Sequence, residues 1–434
     1  MVDNVEFQVD WPSAPAPTGH ALLDDTLGRL AIKIGSDFAT KFRTDNNNEG
    51  DQLLVPTYGL AEWIASNWWS LLFEPPKDEY FQEDFDFRSR HWLGSARNGF
   101  ALPDLWFCPA GEKIEIIGSA AHLRFARLDF LVEISDVVVG VAVLRDALHR
   151  FVQRVITRLD ERGRRMTPLH ELWGAVRDTG PDAEEYCQLV GSLGLSPYEE
   201  HPDIDDILNR VYERLDPGIV RDLCNAADEK TFSSLAELAI GVAESLDSGQ
   251  EARLAELLAV GLPPDQAPHA WQWGRQAADR VRREFHISNA DPQGGQRFLA
   301  TLGLDSVTSV GAGHTERIKG GVKRHNDRMQ VAIFDDMEPQ RRFAAARAAF
   351  LGWAHAVDDS HLLTTAITRD QQASRAFAAE MLAPAGYIRT RAANRVLSDH
   401  AVREIAQALN APAGAVSYQA RHAGIHVVGA SGWG

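Results

Sequence analysis

The chain has 434 residues, 44% hydrophobic and 24% charged, enough apolar material for two or three domains with ordinary cores. A net charge of -17 sets the molecule as a whole against nucleic acid and anionic lipid. No run approaches the roughly 18 apolar residues of a membrane-spanning helix, and the opening MVDNVEFQVDWPSAPAP lacks the basic start and apolar stretch of a secretion signal, so a cytoplasmic protein without membrane association is expected.

Residues 1–165 hold six of the eleven Trp and read as a small-sheet α+β domain of unassigned role. Segments 27–40 and 51–60 are strand-like around a polar loop, and 113–118 and 127–134 are further strand candidates. Residues 61–73 read as a helix with Trp63, Ile64, Trp68, Leu71 and Leu72 inward. The aromatic and charged stretch 74–107 is either a ligand-binding insertion or a long loop packed over the sheet. In LRDALHRFVQRVITRLDERGRR, seven Arg oppose three acidic residues. Arg150, Arg154, Arg158 and Arg162 recur every fourth position along one helix face, with Leu148, Phe151, Val152, Val155, Ile156 and Leu159 on the other. This arginine ridge is a solvated or interdomain face, or else a docking site for an acidic partner. Cys108, Cys187 and Cys224 are too few and too scattered for a disulfide framework or a metal knuckle, and are expected as buried thiols.

Residues 166–262 form an acidic region with a helical pattern throughout. Pro263-Pro264-Asp265 is the clearest break in the chain, and 163–168 a weaker one. Beyond it, 270–287 predicts a helix with the apolar stripe Trp273, Ala277, Val281 and Phe285, and 328–335 a strand along which Met329, Val331 and Ile333 alternate. On the helix 341–355, Phe343, Arg347, Phe350, Leu351 and Ala354 share the stripe that faces the core. A buried Arg347 needs a partner: the amide of Gln371, a carboxylate such as Asp370 or Glu380, or backbone carbonyls. HAVDDSH is the only nearby cluster of His and carboxylates. With His355 and His361 unable to share a helical face, it reads as a polar loop rather than a metal site. Gly311-Ala312-Gly313 and Gly320-Gly321 read as isolated glycines in a polar loop, and no phosphate loop or nucleophile elbow occurs.

RRFAAARAAFLGW followed by QQASRAFAAEMLAP resembles, in order and spacing, the core of the ImmA/IrrE family of metallopeptidase-like proteins, and the resemblance covers about residues 264–434. It implies a zincin-like, mainly helical domain with a short sheet, and a His-Glu-x-x-His helix with a third, acidic ligand further on. On this chain those positions fall on Arg347, Ala348, Leu351 and Gln371, none able to ligate zinc or activate water, so neither metal nor cofactor is expected. The retained strand beside the helix implies a peptide-binding groove of Met329, Val331, Ile333, Arg347 and Gln371.

Two short helices over 402–425 resemble the family's tail and also have helix-turn-helix proportions. Pro412, Ala413, Gly414 and Ala415 at the start of the second favour a structural role over DNA reading. The resemblance implies an inactive, protein-binding regulator or sensor in a bacterial stress, mobile-element, toxin–antitoxin or phage-defence setting. Its partner would be a helix-turn-helix regulator or a defence component, and its oligomeric state stays open. The alternatives are a metallopeptidase with unorthodox ligands, a hydrolase in the N-terminal domain, or a DNA-binding regulator.

Overall fold

The computed structural model describes residues 4–12, 19–310, 317–392 and 394–429; the glycines at 311 and 313 lie outside them. The fold is α+β, helices joined to several small, mostly antiparallel sheets. It divides into two compact units, Met1–His201 and Pro202–Gly434, rather than at the expected breaks near 165 and 262. The reason lies in packing. Helix Pro168–Asp178 joins the first unit through Trp173, whose ring meets Trp68 edge-on at 5.0 Å. Within the supposedly all-helical stretch, Gln250–Arg253 is a strand paired with Arg328–Ile333, which binds the rest of that stretch to the second unit.

In the first unit, Leu27–Ile34 pairs antiparallel with Val5–Asp10 on one side and Leu53–Pro56 on the other. Lys113–Ser119 lies between Asp104–Pro109 and Ile134–Gly140 in a separate sheet. Val141–Glu161 is the ridge-bearing helix, and its apolar face, from Leu144 to Leu159, is buried with Phe151 against Phe7 at 5.6 Å. The expected helix over 61–73 is two, Tyr58–Ser66 and Trp68–Phe73, parted at Asn67. The 74–107 stretch contains helix Phe85–His91 and strand Asp104–Pro109, pinned by the buried Glu74. Glu74 accepts from Arg90 Nη2 at 2.6 Å and pairs with His91 Nε2 at 3.0 Å, while His91 Nδ1 donates to Phe107 O at 2.8 Å.

The second unit runs α1 (Pro217–Ala226), α2 (Phe232–Leu246), β1 (Gln250–Arg253), α3 (Ala270–Glu284), β2 (Ile318–His325), β3 (Arg328–Ile333), α4 (Glu338–Ala354), β4 (Ser360–Thr364), α5 (Arg369–Leu382), α6 (Asp399–Leu409) and α7 (Ala413–His422). Its larger sheet has the order β1-β3-β2-β4, antiparallel throughout, and Val396–Ser398 pairs parallel with His426–Val428 in a second. Gly320 and Gly321 are strand residues of β2, not loop. Gly320 sits at φ +148 at an irregularity in register, where a Cβ would come 2.2 Å from Ala332 O. α4 lies on one face of the sheet, its Gly352 close to Met329 Sδ, and Val242 of α2 meets Gly321 on the other. α3 crosses α5 closely because Gly274 leaves room for the backbone of Ala373. Trp273, Ala277 and Val281 are buried, as the sequence stripe predicts. All three cysteines are buried thiols outside any disulfide.

Candidate functional site

α4 and α5 bring the four motif positions together, and what they assemble is a closed hydrogen-bond network. Arg347 is 3% exposed, and Gln371, Ala348 and Leu351 are fully buried. Arg347 Nη2 donates to Gln371 Oε1 at 2.7 Å and to Thr364 O at 2.6 Å, and Nε donates to Ser374 Oγ at 3.2 Å. The carboxylates offered as candidates do not take part. Asp370 faces His355, and Glu380 is engaged by Arg275 and by Gln419 at 2.6 Å. Burial, with the Arg375 charge added, pushes the Arg347 guanidinium down to about 9, so it remains charged at neutral pH.

Gln371 does a second job. Its Nε2 donates to Leu362 O at 2.7 Å, and its Oε1 accepts from Thr364 N–H at 3.0 Å. These are the bonds that a neighbouring strand's peptide group would make, so the side chain seals part of the outer edge of β4. Asp222 of α1 takes the adjacent Leu362 N–H at 3.0 Å. The zinc that the resemblance implies does not fit here: a guanidinium points its donors into the space, Leu351 has no donor atom, and Gln371 is committed to the backbone.

The peptide groove expected on β3 is contradicted. β3 is an inner strand, paired with β1 on one edge and β2 on the other. Met329, Val331 and Ile333 are at most 1% exposed and belong to the core. The missed strand β1 takes the edge that the groove would have needed.

The structure also gathers residues that the sequence reading kept apart. His355 caps the C-terminal end of α4, whereas His361 lies on β4; the chain reverses between them and stacks their rings at 3.6 Å. The helical-face argument against the pair therefore does not apply. His361 Nδ1 lies 2.9 Å from Asp222 Oδ2, and His355 Nε2 lies 3.3 Å from Asp370 Oδ2. Burial opposes charge on His361, but Asp222 with Asp370 and Asp359 holds it above the ordinary imidazole range. Burial alone would raise Asp370, yet His355 and Thr368 hold it well below the usual carboxylate range. Ligand atoms of His355, Asp359 and His361 lie within 4.8 Å of one another, as do those of Asp222, His361 and Asp370. The legible signal was a polar loop entering a strand-like SHLLT, which forces such a reversal. Asp222 carried none, because the acidic, helical pattern of 166–262 singles out no one carboxylate.

The arginine ridge exists, but it is partly engaged by its own unit. Arg158 Nε donates to Asp25 O at 3.1 Å and its guanidinium stacks 5.3 Å over Trp11. Arg154 lies 3.6 Å from Asp10, and Arg162 is the helix C-cap, exposed like Arg150. In the tail, Gln419 is buried against Glu380, so α7 directs that residue into the fold rather than toward a nucleic acid.

No protein-family model, no curated protein and no solved structure matches the chain.

Proposed function

We propose that the second unit is a degenerate ImmA/IrrE-like domain that has exchanged zinc ligation for an internal plug, and that the protein works by binding a partner rather than by cleaving one. The partner class is a helix-turn-helix regulator or a component of a bacterial stress, mobile-element or phage-defence system, with the chain acting in the cytoplasm. What supports this reading is Arg347, buried and hydrogen-bonded to Gln371, Thr364 and Ser374 where the resemblance calls for a metal and a water. A group of this kind stabilises the cleft and offers neither a Lewis acid nor a general base.

Inner-strand β3 has no edge to lend a peptide, so the docking surface moves to the exposed residues of the arginine ridge at its middle and its C-terminal end, Arg150 and Arg162, which suit an acidic partner face. Calorimetric titration with helix-turn-helix regulators tests this. Saturable binding that weakens in an Arg150→Glu, Arg162→Glu double variant is expected. Turnover of the regulator, or binding indifferent to both charges, would contradict it.

A further inference from the structure

We propose that the first unit binds an extended peptide, with an apolar residue flanked by carboxylates, by adding it as a strand to the free edge of Leu53–Pro56. That strand pairs with Leu27–Ile34 and with no other strand among the described residues. Thr57 N–H donates to Thr26 O at 2.9 Å in the same register. Backbone groups alternate sides along a strand, so those of Val55 and Leu53 also face Leu27–Ile34. Leu54 therefore turns its N–H and C=O outward, and neither makes a hydrogen bond among the described residues.

A cavity of about 310 Å³ lies along this outer edge. Leu53, Leu54 and Val55 all line it and no residue of Leu27–Ile34 does, which places it beside the strand rather than on a face of the sheet. Phe42 and Leu128 line it too, from the antiparallel pair Phe42–Thr44 and Leu128–Phe130. Phe100 and Phe125 add two more rings, and no polar side chain takes part. Leu54 is 54% exposed and Phe125 59%, so apolar surface continues from the cavity to solvent.

A protected edge that binds nothing is the competing explanation. Proteins guard free edges with charge, with proline or with a covering segment. Pro56 guards one end here, but the outward peptide group belongs to an exposed Leu beside an apolar cavity. Such a wall favours an occupant that returns both main-chain hydrogen bonds while burying an apolar side chain, as an extended peptide does. Charge narrows the choice. Arg124 and Arg127 stand next in the chain to the lining residues Phe125, Ala126 and Leu128; both are exposed and make no ion pair among the described residues. Asp129, close to them in the chain, is taken by His122 at 2.6 Å. Carboxylates on either side of the apolar residue suit those two guanidiniums. The site lies within the first unit, so it stands or falls separately from the reading of the second.

Fluorescence anisotropy of a labelled Asp-Val-Phe-Val-Asp peptide, titrated with the full chain, tests the proposal. Saturable binding that weakens with salt is expected. Leu54→Pro removes a donor that the fold itself does not use, so the variant should keep its circular dichroism and bind about 10-fold more weakly. N-methylation of one alternate set of the peptide's amides should weaken binding to a similar extent, and of the other set should not. An Arg124→Glu, Arg127→Glu double variant should bind more weakly and lose most of the salt dependence. Lack of saturable binding, or binding indifferent to both methylated sets and to a folded Leu54→Pro variant, would overturn the site. So would a dimer of the chain that Leu54→Pro dissolves, which would assign the edge to a second copy.

Discussion

Arg347 and Gln371 form one unit: the guanidinium donates to the amide oxygen at 2.7 Å while the same amide closes the edge of β4 through Leu362 O and Thr364 N–H. A charged group from one helix is thereby solvated by neutral acceptors, with Asp370 and Asp222 acting on it only through space, and the strand edge that it abuts has no free peptide group at those two positions. Both residues are buried on Ala-rich helices, so the network has little room to relax.

Arg347→Ala should destabilise the second unit by roughly 2–5 kcal/mol, through lost hydrogen bonds and the space left behind. Arg347→Lys should recover only part of this, because one ammonium cannot reach three acceptors spread across a planar fork. Urea unfolding read by tryptophan fluorescence measures both; no change in midpoint for the Ala variant would show that the network is not structural.

Gln371→Leu removes both prongs of the amide and leaves Thr364 N–H and Leu362 O unpaired in the core. About 1–3 kcal/mol for each orphaned group is expected. Hydrogen exchange at Thr364 should accelerate far more than at Val331, which lies on inner strand β3. Equal exchange at the two amides would refute the edge-sealing role of Gln371.

Proline at Met329 or Val331, whose N–H groups face β1, separates the present fold from the groove that the sequence suggested. On an edge strand one orientation would be tolerated and would affect only a partner. Here the strand is paired on both sides, so either proline should abolish cooperative unfolding of the second unit, as followed by circular dichroism. A folded Met329→Pro variant would mean that β1 does not pair as described.

The first unit should be acid-sensitive through Glu74. Burial opposes its ionisation, but bonds from His91 and Arg90 hold it down at about 2, against an ordinary value of 4.5. A carboxyl whose folded pKa is depressed contributes stability that is complete above the ordinary value and lost as pH falls toward the folded one. The window is therefore about pH 4.5 down to about 2, and the contribution is about 3 kcal/mol. Glu74→Gln should be less stable at neutral pH and should lose the dependence on pH in that window. A wild-type melting temperature that is flat there would contradict the assignment.

Much of the fold was legible where apolar spacing is strong. The stripes of α3 and of the ridge helix and the tail pair form near their expected bounds, because a single buried face dictates each; the helix of 338–354 also forms near its own, although Ala344–Trp353 is buried on every side. Legibility failed where tertiary pairing overrides local pattern. Gln250–Arg253 is short and polar, becoming a strand only because β3 offers it an edge, and that one strand removes the expected groove. Gly320 and Gly321 looked like loop, yet β2 needs their missing side chains where Ala332 and Val242 approach. At the site, the burial of Arg347 could be read from helix spacing, with Gln371 one of several partners that the sequence offered. His355, His361, Asp222 and Asp370 could not, since they converge from four elements and no local periodicity links a helix cap to a strand and a distant helix.

Native mass spectrometry of the full chain incubated with Zn²⁺ and a helix-turn-helix regulator tests the proposed function most directly. The account predicts an intact complex of the two chains, with the regulator at its full mass after prolonged incubation. Regulator fragments whose formation requires this protein, and which disappear in an Arg347→Ala variant that still folds, would contradict it.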